Sequence, residues 1–156
     1  MKKGFTLMEL LIVMVIVTIM VTIAVPKYKG AMERGRGVQA VASLGALSDN
    51  LNAIYVMNGN TYGKNDSELN NLPSRVMALG GNTNTNLFNY NFDIRSSSMV
   101  IIYAARQGLG DKSYTVSFLN QNGEVTHRFC MGYETYCNLL GASKVVTTPD
   151  GPGWEF

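Results

Sequence analysis

The sequence predicts an α+β fold: a long N-terminal α-helical spine, then an antiparallel β-sheet of three to four strands. Three observations carry that expectation. From Phe5 to Val25 the only side chains that are not apolar are Thr6, Glu9, Thr18 and Thr22. From Val38 to Ile54, apolar residues recur at three- and four-residue spacing, one face of a helix. From Tyr90 onward they alternate every second residue between turn-forming segments. One helix, a connector and then a meander is the order of an α+β protein. A length of 156 residues suits one domain with an appendage.

The formal charge of +2 rests on Lys2 and Lys3. Without them eleven basic side chains face eleven acidic ones, so nothing favours a nucleic-acid surface. A near-neutral exterior suits subunits that pack against copies of themselves.

Lys2–Val25 admits three readings. A secretory signal peptide fits Lys2 and Lys3, with Thr22-Ile23-Ala24 as the cleavage site, but its apolar core is too long. An ordinary membrane anchor fits the length, since 21 residues at about 1.5 Å each cross a hydrocarbon layer of about 30 Å. That leaves Glu9 unexplained, because a charge inside a membrane is costly and usually functional. The third reading uses the order of the parts. A cut after Gly4 releases residues 1–4 and leaves the helix on the mature chain. The new terminus is then Phe5, with a charged amine, and Glu9 lies in the first turn, where its charge suits the helix dipole.

The stretch "KKGFTLMELLIVMVIVTIMVTIAVP" resembles the class III leader and N-terminal helix of type IV pilins and their pseudopilin relatives. The residues that carry the resemblance are the basic leader, Gly4, Phe5, Thr6-Leu7, Glu9, the apolar run and Pro26. It covers about residues 1–30. It implies a prepilin peptidase that cuts after Gly4 and methylates the Phe5 amine. It also implies a helical filament whose core is this helix, with Phe5 and Glu9 in subunit assembly. The implied orientation leaves the leader in the cytoplasm and the remainder outside. Counting flanking charges favours the opposite, since Lys27, Lys29, Arg34 and Arg36 outnumber Lys2 and Lys3. The motif takes precedence over the count.

Residues 26–57 form the second half of the spine. Pro26 removes the hydrogen bond to the Thr22 carbonyl and kinks the helix. Gly30, Gly35 and Gly37 each weaken it by about 1 kcal/mol relative to Ala. Residues 22–37 are therefore its least secure stretch, which the resemblance implies unwinds when subunits pack into a filament. Val41, Leu44, Leu47, Leu51 and Ile54 then form a stripe that lies on a sheet, and Asn58-Gly59-Asn60 ends the helix. "IYVMNGNTYG" resembles the helix end and turn of many pilins.

Residues 58–156 form the head. Ten Asn between positions 58 and 91 mark a surface connector with a short helix near Ser74–Leu79. Tyr90, Phe92 and Ile94 alternate with polar residues, and Met99–Ala105 is continuously apolar. Tyr114, Val116 and Phe118 alternate next, and "NQNG" at 120–123 turns the chain into Val125, His127 and Phe129. The tail "TTPDGPGWEF" is rich in turns, with Trp154 and Phe156 covering the sheet. Cys130 and Cys137 are the only cysteines. In a reducing compartment they are two thiols; in an oxidising one they close a loop worth about 2–3 kcal/mol. A cysteine-closed C-terminal loop resembles that of many pilins.

No catalytic arrangement is legible, so the chain is read as a non-enzyme with no cofactor. His127 is the only histidine, it falls on a strand as a half-buried residue, and no nucleophile pairs with it. With two cysteines it gives too few ligands for zinc. "RQGLGDKS" at 106–113 is a hairpin loop; in a phosphate loop Gly directly precedes the Lys and a helix follows. Asp111 and Asp150 lack the acidic spacing of a calcium loop.

The function expected from the resemblance is a structural subunit of a type IV pilus. It would wait in the inner membrane and then join an extracellular filament of its own copies, helped by an assembly platform and other pilins. The alternatives are a pseudopilin of a type II secretion system, building a short periplasmic filament, and a membrane-anchored periplasmic binding protein or enzyme.

Overall fold

The computed structural model describes residues 5–78, 87–148 and 151–156. Helix α1 runs unbroken from Leu7 to Met57, over 51 residues. Pro26 and the three glycines lie inside it without interrupting it. Its C-cap is Asn58, whose N–H donates to the Ile54 carbonyl at 3.0 Å, as Asn58-Gly59-Asn60 foretells.

Two short helices follow, α2 (Asp66–Asn70) and α3 (Leu72–Ala78). The expected helix near Ser74–Leu79 is α3, which starts two residues earlier; Leu79 lies outside the described residues. Helix α2 was not anticipated, although its signal is present. Asn65 is its N-cap, accepting from the Glu68 N–H at 2.9 Å, while Glu68 reaches back to the Lys64 N–H at 2.8 Å.

The meander is β1 (Phe88–Ser96), β2 (Met99–Arg106), β3 (Tyr114–Gln121) and β4 (Glu124–Gly132). After it come α4 (Glu134–Leu140), β5 (Lys144–Thr148) and β6 (Gly151–Glu155). The sheet has six strands in the order β1-β2-β3-β4-β6-β5, with every pairing antiparallel. The α+β class holds, but three to four strands is two or three short. The tail is a hairpin as well as a turn: β6 pairs with β4 through Phe129–Glu155 and Cys130–Trp154. Gly153 permits this approach, because a Cβ there would stand 3.0 Å from the Cys130 carbonyl oxygen.

One sheet face packs on α1. Leu44, Leu47, Leu51 and Ile54 are at most 2% exposed. They join Val100, Ile102, Val116, Phe118 and Cys130 in one core. Val41 is half-buried at its margin. Trp154 packs against this core as expected, whereas Phe156 stays 42% exposed.

The β3–β4 turn carries Asn122 (φ 54°) and Gly123 (φ 83°), both in the left-handed region that a two-residue hairpin turn requires. A bulge follows. Leu119 pairs with His127 and Asn120 with Val125, so Thr126 is left over. The bulge reverses the phase of β4. Val125 packs against the helix-side core, while Phe129 joins Ile101 and Leu119 on the other face.

Candidate assembly site on the N-terminal helix

The helix starts at a reciprocal cap. Thr6 is the N-cap, and its Oγ1 accepts from the Glu9 N–H at 3.3 Å. Glu9 returns the bond: its Oε2 accepts from the Thr6 N–H and from the Thr6 hydroxyl, both at 3.0 Å. The sequence spells this out as a Thr three residues before a Glu at the head of an apolar run. The cap turns the carboxylate back toward Phe5, and Phe5 itself is 83% exposed. Both protons go to Oε2, so Oε1 is without a partner among the described residues. Gly4 lies outside the described residues.

Beyond the cap the surface is apolar on all sides. Every residue from Leu7 to Val25 is exposed. The two interior threonines hide their hydroxyls: Thr18 donates to the Met14 carbonyl at 2.7 Å and Thr22 to the Thr18 carbonyl at 2.6 Å. Glu9 is therefore the only charged side chain on this stretch, and its own helix leaves one of its oxygens unpaired. The helix is long and apolar enough to cross a membrane, and none of its most apolar stretch is buried against the head.

The spine meets the head at a charged cluster that sequence reasoning missed. Glu33 on α1 and Arg106 at the end of β2 are 5% and 6% exposed. Arg106 Nε donates to Glu33 Oε1 at 2.6 Å and its second nitrogen to Oε2 at 3.1 Å, a two-point grip. The Tyr114 hydroxyl adds a bond to Oε1 at 3.0 Å and Arg36 one to Oε2 at 3.2 Å. Burial alone pushes the Glu33 carboxyl up, but these donors and the Arg106 charge outweigh it and hold it below the usual range. Burial, with the Glu33 charge, raises the Tyr114 phenol, so it remains a donor. The available signal was weak: a Glu three residues before an Arg on a helix reads as an ordinary surface pair.

The other anticipated residues lie apart from the helix start. Cys130 on β4 and Cys137 on α4 form a disulfide with Cα atoms 5.6 Å apart, and both are buried. The loop they close takes in the first turn of α4; three residues beyond it, Leu140 lies against Gly37 of the spine, where a Cβ would collide with it. Gly37 is thus a close-approach residue as well as a helix weakener. The His127 side chain is 59% exposed rather than half-buried, and its Nδ1 pairs with Glu155 Oε1 at 2.8 Å. Among the described residues no three His, Cys, Asp or Glu side chains gather as a metal site would require.

Residues 1–25 match the family model described as the prokaryotic N-terminal methylation motif. No solved structure matches the chain. The matched residues are those that open the bare helix, and the match supports the type IV pilin and pseudopilin family as the one to which this chain is related.

Proposed function

We propose that the chain is a structural subunit of a type IV pilus, polymerising through its N-terminal helix. The observation that carries this reading is a methylation motif opening onto a helix left exposed all round from Leu7 to Val25. An apolar surface of that extent needs a cover. Lipid of the inner membrane covers it in the precursor, and neighbouring helices cover it in the filament. Prepilin peptidase cuts after Gly4 and methylates Phe5, and an assembly platform adds the subunit at the filament base. Pro26, with the glycines after it, supplies the kink at which the spine leaves the bundle. The Cys130–Cys137 disulfide supports a head outside the cytoplasm.

Glu9 sets the register of assembly. In a dry helical bundle an unpaired carboxylate is strongly unfavourable, and so is an unpaired amine. The cap spends one Glu9 oxygen within the subunit and leaves the other for the Phe5 amine of a neighbour. Only one axial offset pairs every anion with a cation.

Intact-mass measurement of membrane-extracted protein should show a chain beginning at Phe5 with one added methyl group. Glu9→Ala should leave cleavage and membrane level intact but abolish or greatly reduce filaments, and Glu9→Gln should fail similarly. Normal filaments from Glu9→Ala would sink the register mechanism. A pseudopilin of a type II secretion system shares the motif. The disulfide-closed C-terminal loop supports the pilus over that alternative, and deleting the chain discriminates them: surface filaments disappear in one case, protein secretion in the other.

A further inference from the structure

Just above the apolar stretch lie four cations: Lys27, Lys29, Arg34 and Arg36. Between Glu9 and Asp49 the only acid is Glu33, and the structure removes it from the surface. Glu33 is 5% exposed and held by Arg106 from the sheet. Arg36 is partly engaged by the same carboxylate at 3.2 Å. Lys27, Lys29 and Arg34 are exposed and have no ion-pair partner among the described residues. In sequence this segment is four cations with an acid among them; in the fold its surface carries no anion to offset them.

We propose that Lys27, Lys29 and Arg34 form a collar that binds anionic phospholipid headgroups where the spine leaves the membrane. The inference rests on the reading that Leu7–Val25 lies in a bilayer before assembly. Position along the helix supports it. At about 1.5 Å per residue, Lys27 stands about 3 Å and Arg34 about 14 Å beyond Val25. The interfacial layer is about 5–8 Å deep on each side. Long basic side chains reach back toward it, and attraction extends about a further 8 Å at physiological salt. Position around the helix favours lipid over a single protein partner. Lys27 and Arg34, seven residues apart, share a face, whereas Lys29 is turned from Lys27 by about 200°. One partner protein meets one side of a helix, whereas headgroups surround it; neighbouring subunits of a filament, which surround it too, are separated by the lipid and filament measurements below.

To test this, the full-length protein is inserted into vesicles of phosphatidylcholine and phosphatidylglycerol in equal parts. It is then extracted in mild detergent, and retained lipids are counted by mass spectrometry. Wild type should retain phosphatidylglycerol over phosphatidylcholine by on the order of fivefold or more. The Lys27→Gln/Lys29→Gln/Arg34→Gln variant should retain the two nearly equally. Equal retention by wild type, or enrichment unchanged in the variant, overturns the collar. Filament loss in the variant, with no lipid enrichment in wild type, overturns it in favour of a contact between subunits. Co-flotation with the vesicles is read separately. A chain that floats without lipid preference removes the collar alone; a chain that does not float removes the membrane reading beneath it.

Discussion

The two halves of α1 are equally helical and both rich in apolar residues, yet their surfaces have opposite fates. From Leu7 to Val25 every residue is exposed and apolar residues lie on all sides. From Gly37 to Tyr55 one face is buried and carries Ala40, Leu44, Leu47, Leu51 and Ile54. The difference lies in the pattern, not the amount, of apolar side chain. A stripe matches a sheet, which has one face to offer; an unbroken apolar cylinder cannot be covered by one domain and requires surroundings that enclose it. Glu33 marks the change, as the first residue along the spine that is buried against the head.

The largest effect is expected at that boundary. Glu33→Ala leaves the Arg106 charge buried and unpaired, and should destabilise the head by about 3–5 kcal/mol. Trp154 is the only tryptophan, so its fluorescence during urea unfolding of the detergent-solubilised protein follows the head alone; an unchanged midpoint would show that the pair does not hold the junction. Acid should have a related effect. The folded Glu33 carboxyl lies below its ordinary value, so its contribution is fully present above the unfolded pKa of about 4.3. That contribution is lost as pH falls through the lower folded pKa, and Glu33→Ala should flatten this part of the pH profile.

A paired truncation sharpens the contrast. Leu51→Ala, at 0% exposure, should cost about 2–5 kcal/mol in the same unfolding measurement. Val17→Ala, at 48% exposure, should leave that midpoint unchanged and register only in membrane or filament assays. Equal losses from the two would mean that the exposed half also stabilises the head.

The smallest expected effect is at the disulfide, which belongs to neither half but holds α4 against the second. Cys137→Ser should cost about 2–3 kcal/mol from loop entropy, read as a lower urea midpoint. Circular dichroism of the spine should keep its helical signal.

Much of the fold was legible because it follows from local pattern. The stripe ending at Ile54, the Asn58 cap, the alternation of Tyr114, Val116 and Phe118, and the Asn122-Gly123 turn each act within a few residues. Some local signals were present but passed over. Asn65 with Glu68 announces α2, and the Val145–Thr148 run before a turn announces the final hairpin, so six strands replace the expected three to four. The His127 prediction failed for another reason. The bulge at Thr126 changes which face the following residues occupy, and a bulge depends on the partner strand.

At the candidate site the division is just as clear. The residues from Thr6 to Glu9 determine their own cap, because donors and acceptors three residues apart meet in a first helical turn whatever the rest of the chain does. The unbroken run from Leu10 to Val17 likewise determines by composition alone that this helix is apolar all round. Tertiary structure alone decided that Glu33 is an anchor and not a surface charge, since its partner Arg106 is 73 residues away. It also decided that Gly37 admits Leu140 and that β6 enters between β4 and β5. Local order is set by groups close together in sequence; burial and long-range pairing depend on which surfaces remain to be covered once those local elements have formed.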